Sequence, residues 1–157
     1  MPLRELTLSE AFDVSIALEE RSRDRYLTLA RSMEDFGHDE VVRFFMLMAR
    51  EEESHRIDLV SQRASRCPAA AIADVSKLVP AFEGPHSQAE ADALTLRQAL
   101  ALALTAEQRA RSFFLDALDG LTDPDARLLF GLLAEEEIEH VHLVQRHLDG
   151  LAQLELA

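Results

Sequence analysis

Apolar residues recur along this chain in alternating steps of three and four, the spacing of one face of an α-helix. Phe12, Ile16, Leu29 and Met33 mark a first stretch, and Val41, Phe45, Met48 and Leu59 a second. Leu100, Leu104, Phe114 and Leu118 mark a third, and Phe130, Leu133 and Val144 a fourth. No alternation of period two competes with this rhythm, so no strand is expected. The expected helices run over about 9–35, 39–64, 95–118 and 124–148.

Local signals set the ends of these helices. Thr7 followed by Glu10 reads as a capping box, and Gly37 closes the first helix. Asp39 is expected to cap the second helix, and Gly120 to close the third. Asp123 before Pro124 is a start signal for the fourth, and Gly150 is expected just past its end. Between 65 and 94 the rhythm breaks at Pro68, Pro80, Gly84 and Pro85. A long crossing connection is expected there, holding a short helical piece around Ala71 to Leu78. The chain therefore reads as one all-α domain over 1–157: two antiparallel helical hairpins joined by a long crossover.

The two hairpins repeat each other. Ala49, Glu52 and His55 map onto Ala134, Glu137 and His140 at one offset, because 134 − 49, 137 − 52 and 140 − 55 are all 85. Glu19 and Tyr26 map onto Glu107 and Phe114, because 107 − 19 and 114 − 26 are both 88. Matches in both members of each hairpin suggest one hairpin used twice.

Charged groups interrupt every apolar stripe. Glu19, Ser22 and Tyr26 lie on the buried face of the first helix, Glu52 and His55 on that of the second. Glu107 and Ala110 lie on the third, Glu137 and His140 on the fourth. The midpoint of Glu19 and Glu52 is 35.5, beside Gly37, and that of Glu107 and Glu137 is 122, within the second turn. Each hairpin therefore sets its glutamates level, roughly 20–25 Å from the turn at 1.5 Å per residue. Four carboxylates meeting in a core of low dielectric must take up protons or face cations. Two divalent ions carry the four positive charges that balance them. Glutamate at i and histidine at i+3 share a helix face, so both can reach one metal.

Other polar residues invite simpler readings. Glu20 rivals Glu19, but only Glu19 keeps the seven-residue spacing to Tyr26 that Glu107 keeps to Phe114. Tyr26 reads as a core residue whose hydroxyl bonds a ligand carboxylate, ahead of the rival reading of a redox-active tyrosine. Glu51, Glu53, Glu135, Glu136 and Glu139 read as a solvated face, and His142 and His147 as surface residues. His38 and His86 fall in turn or link, and Cys67 beside Pro68 reads as inert.

Composition narrows the classes. Hydrophobic residues make up 48% of the chain, enough for a real core. Sixteen basic against 29 acidic residues give a net charge of −13, which disfavours nucleic acid and anionic membrane. The single cysteine allows no internal disulfide and no Cys-x-x-Cys metal or redox pair. Met1 to Glu10 lacks a signal-peptide layout and no long apolar run occurs, so a cytoplasmic location is expected.

With these residues in hand, the sequence resembles the ferritin-like superfamily. The nearest likeness is to the erythrin domain of rubrerythrins and their short relatives. The carrying motifs are Glu19 to Tyr26, Ala49 to His55, Glu107 to Phe114 and Ala134 to His140. A lone glutamate from two helices and Glu-x-x-His from the other two is the ligand pattern of ferritin-like di-iron and di-manganese bundles. The resemblance implies that Glu19, Glu52, His55, Glu107, Glu137 and His140 bind two irons, with Glu52 and Glu137 bridging. It implies oxidation of ferrous iron, reduction of peroxide or dioxygen, or both. A separate electron donor and a homo-oligomer, a dimer first, are then expected. Manganese or a mixed metal pair stays open. So do a ferroxidase within an iron storage or sequestration assembly and a helical interaction module with a vestigial site. Three departures bound the likeness: the cysteines of a rubredoxin domain are missing, Ala110 stands where rubrerythrins tend to carry an extra glutamate, and Glu53 stands where bacterioferritins place a haem-binding methionine. No haem is expected.

Overall fold

The computed structural model describes residues 5–80 and 84–156. Among the described residues five helices follow in order: α1 Leu8–Glu34, α2 Asp39–Arg66, α3 Gln88–Asp92, α4 Leu96–Leu118 and α5 Pro124–Leu156. No strand occurs among the described residues, and the architecture is an all-α, ferritin-like bundle. α1 pairs with α2 and α4 with α5, each as a tight hairpin.

Caps explain most of the boundaries. Thr7 and Glu10 form a reciprocal capping box on α1, and Thr95 and Gln98 form another on α4. Asp123 Oδ1 accepts from the backbone of Asp125 and Ala126 and opens α5. Gly37, at φ 73°, supplies the left-handed turn between α1 and α2. Asp39 is the first residue of α2 rather than its cap. His38 holds the cap position without a side-chain hydrogen bond, and Asp39 and Glu40 place negative charge in the first turn.

Two expectations about the elements are corrected. Gly150 does not end the last helix, which runs on to Leu156. Glycine weakens a helix interior without breaking it, and Leu151 beyond it packs against the core. No helix forms over Ala71 to Leu78; residues 71–75 are irregular and a single turn follows. The N–H of Ala73 goes to Asp13 Oδ2, and Asp74 Oδ1 captures the N–H of Ser76, so the local donors are spent elsewhere. The helical piece of the link is α3 instead, capped by Ser87. Residues 81–83 of the expected 65–94 crossover lie outside the described residues.

The described parts of the link are fastened to the first hairpin at several points. Arg63 reaches Asp13 at 2.6 Å and donates to the carbonyls of Ala70 and Ala71. Arg21 donates to the carbonyl of Pro80, and Gln88 to that of Thr28. Val75 and Val79 are buried against the same cluster as Phe12.

The core is in two parts. One apolar cluster gathers Phe12, Leu59, Phe114 and Phe130 at the end where α1 begins and α2 ends. The other gathers Tyr26, Phe45, Leu100 and Val144 at the opposite end. α2 ends at the first cluster and α4 starts at the second, so the crossover runs the length of the bundle. On each long helix, the buried glutamate lies between the parts belonging to the two clusters.

Candidate metal centre

Each long helix delivers a carboxylate to this middle layer: Glu19 from α1, Glu52 from α2, Glu107 from α4 and Glu137 from α5, all buried. Glu20 is exposed. His140 is buried with them, while His55 keeps 26% of its side-chain surface. The rings of His55 and His140 are stacked, with centroids 5.7 Å apart and planes 6° from parallel.

The donor atoms gather into two triads, Glu19–Glu52–His55 and Glu52–Glu107–His140, with each set of atoms within 4.8 Å of one another. Glu52 belongs to both. His140 Nδ1 lies 2.9 Å from Glu52 Oε1 and 3.5 Å from Glu107 Oε2, so the second triad spans both hairpins. His55 Nδ1 lies 3.8 Å from Glu19 Oε2. Glu137 Oε2 is 3.8 Å from His140 Nδ1 but falls outside both triads, where the repeat placed it as the counterpart of Glu52.

Burial and crowding set the charges. Burial, then the neighbouring Glu19 and Glu107, pushes the Glu52 carboxyl well above its ordinary range. Burial and Glu107 do the same to Glu137. Burial also works upward on Glu107, but the adjoining Glu137 and His140 and the hydrogen bond from Tyr26 overcome it and hold that carboxyl at about 2. Burial lowers His140, yet its contact with Glu107 raises it to about 9. Tyr26 Oη donates to Glu107 Oε1 at 2.5 Å. Arg25, next to Tyr26, is drawn down by burial while Glu107, Glu52 and Glu137 act to keep it charged.

These residues suit a cation. Glu19 Oε2, both oxygens of Glu52, Glu107 Oε2, Glu137 Oε2 and Nδ1 of both histidines are buried and have no hydrogen-bond partner. The 2.9 Å approach of His140 to Glu52 is close but not aligned as a hydrogen bond. Buried polar atoms are normally satisfied, so such a concentration calls for a positive partner. Oxygen and imidazole nitrogen donors fit iron or manganese.

Two residues read as solvated surface border this layer. Glu51 Oε2 lies 3.5 Å from His140 Nε2, and Glu136 Oε2 lies 3.5 Å from His55 Nδ1. The repeat held the signal, since 136 − 51 is again 85. Glu53 pairs with Arg23 and Arg56 instead, away from the triads, and is held at about 2 by Arg56 first and Arg23 second. His147 is half-buried rather than on the surface, stacked on Phe44 at 3.9 Å.

A bundle of two hairpins around a carboxylate–histidine layer is a ferritin-like protein with groups able to bind metal. The chain belongs to the rubrerythrin family, whose model matches residues 10–148. It is similar to the crystal structure of an uncharacterised conserved protein from Magnetospirillum magnetotacticum, at 25% identity and a TM-score of 0.77, covering 92% of this chain and 95% of that one. A hypothetical protein from Pyrococcus furiosus shares the fold at 18% identity and a TM-score of 0.66, with 98% of each chain covered. None of the curated proteins matches. No helix among the described residues is long and apolar enough to cross a membrane.

Proposed function

We propose that this protein is a non-haem di-iron oxidoreductase that oxidises ferrous iron, reduces peroxide or dioxygen, or does both. The observation that carries this reading is the pair of buried triads sharing Glu52, with unpartnered donor atoms on every member. Glu19 and His55 would hold one ion, Glu107 and His140 the other, and Glu52 would face both. Glu137, beside His140, would complete the second position by a small side-chain rotation. When bound, the two irons supply one electron each, which is what two-electron reduction of peroxide requires.

The residues divide the remaining work. Glu52 and Glu137 hold protons while no cation faces them, and release them as one binds. Tyr26 occupies Glu107 Oε1, which leaves Oε2 as that residue's ligand atom. The apolar clusters on either side keep bulk water from the layer. Electrons to renew the ferrous state would come from fresh ferrous iron or a separate donor protein.

The test is metal content. The purified protein should carry about two irons per chain, and Glu52→Ala should lose both because it serves both positions. Glu137→Ala should keep the first and weaken the second. A wild-type chain that holds no metal and takes up no ferrous iron under anaerobic conditions would overturn the reading.

A further inference from the structure

A buried centre needs a route for cations from solvent, and the repeat pair Glu51 and Glu136 breaks its symmetry at that point. Each directly precedes a buried glutamate, and each sets Oε2 3.5 Å from a histidine of the other hairpin. They differ in the nitrogen they face. Glu51 lies at Nε2 of His140, whereas Nδ1 of that ring faces Glu52 and Glu107. From there it backs the histidine, favouring a proton on Nε2 and leaving Nδ1 free as a donor atom. Glu136 lies at Nδ1 of His55, the same atom that faces Glu19.

Glu136 also straddles the boundary between centre and solvent. Its side chain is 41% exposed, yet its Oε2 is buried and has no hydrogen-bond partner. The histidine beside it is the exposed one of the two, 26% against 3% for His140. Glu136 is a member of neither triad. It therefore stands one step outside the first triad, on the side where that triad opens.

We infer that Glu136 is the entry carboxylate of the centre, which takes a hydrated divalent cation from solvent and delivers it to His55 and Glu19. The inference rests on the metal-binding reading above. Stripping a whole hydration shell on entry to a buried layer is costly, so a half-hydrated carboxylate lowers the barrier by letting the shell be shed in stages. One oxygen reaches water while the other is already beside the first triad, so rotation about the glutamate side chain covers the distance. The fully buried carboxylates lack that reach. The net charge of −13 draws cations to the surface from which Glu136 collects them.

The experiment follows anaerobic uptake of Co²⁺ by the full chain, using stopped-flow absorbance for the rate and titration for affinity and stoichiometry. Glu136→Gln keeps the shape and removes the charge, while Glu139→Gln, at an exposed position on the same helix, controls for lost surface charge. Melting curves report whether each variant is folded. Glu136→Gln should load about tenfold more slowly or worse and reach the wild-type stoichiometry and affinity. Glu139→Gln should load normally, and Glu51→Gln should weaken affinity without slowing entry. Loading of Glu136→Gln at the wild-type rate would overturn the assignment. So would weakened equilibrium binding at an unchanged rate, which would make Glu136 an ordinary ligand. A wild-type chain that takes up no Co²⁺ removes the metal centre itself and the entry role with it, an outcome recognisable because the parent protein is silent.

Discussion

Tyr26 and Glu107 sit on different hairpins, and the bond between them illustrates what one buried contact does in this core. Burial, reinforced by the negative charge of Glu107, pushes the Tyr26 phenol well above its ordinary value, so it remains a donor. Tyr26→Phe would leave a buried carboxylate oxygen without its partner. The metal-free protein should lose about 1–3 kcal/mol, read as a lower urea midpoint at unchanged slope. An unchanged midpoint would mean that Glu107 finds another donor at no cost. At this scale the chain's own pattern marked Glu19 over Glu20, because only Glu19 keeps the seven-residue spacing to Tyr26 that Glu107 keeps to Phe114. It did not single out Glu51 and Glu136: the repeat makes them equivalent, but period places both on the outer face, and only the packing of the opposite hairpin brings a histidine to each.

Among the elements, the crossover and α5 depart most from expectation, and both departures can be tested. Arg63 and Asp13 form a nearly buried pair that ties the link to α1, with side-chain exposures of 11% and 6%. Arg63→Ala would strand Asp13 and free the carbonyls of Ala70 and Ala71, at a cost of about 3 kcal/mol in a denaturant melt. A loss within error would show that the link holds without this anchor. In α5, a methyl group added at Gly150 meets nothing within 4 Å. Gly150→Ala should therefore raise stability by about 0.5 kcal/mol, since alanine is the better helix former. Destabilisation there would argue that α5 stops short of this residue. The helices themselves were legible because their apolar period is strong. The link was not, because its backbone donors are taken by Asp13 and Asp74, a long-range and a local competitor that periodicity does not register.

For the whole molecule, the buried layer makes stability depend on pH in an unusual direction. Glu52 and Glu137 have raised pKa values, so the folded chain binds more protons than the unfolded one above the ordinary carboxylate range. Stability then falls as pH rises. His140, raised to about 9, adds stability that is complete below the ordinary histidine value and is lost as pH climbs through 9. Glu107, held at about 2, has the opposite slope, but only in acid well below neutrality. The metal-free protein, kept in chelator, should therefore melt at least about 3 °C lower at pH 9 than at pH 6. Metal binding displaces the same protons, so the gain in melting temperature on adding Mn²⁺ should grow over that range. A metal-free melting temperature that rises with pH would mean that these carboxyls are ionised in the fold.

What the amino-acid order determined by itself was the helical class, the hairpin repeat and the level at which each helix carries its acid. Those properties follow from period and spacing, which are local and survive any packing of the helices. Tertiary structure alone decided that Glu52, rather than Glu52 and Glu137 alike, is shared by two triads. It also decided that His140 reaches across to the first hairpin, and that Glu136 stands where His55 meets solvent. A near-symmetric repeat specifies equivalent positions. The choice between equivalent side chains depends on distances between hairpins, which no spacing along one chain contains.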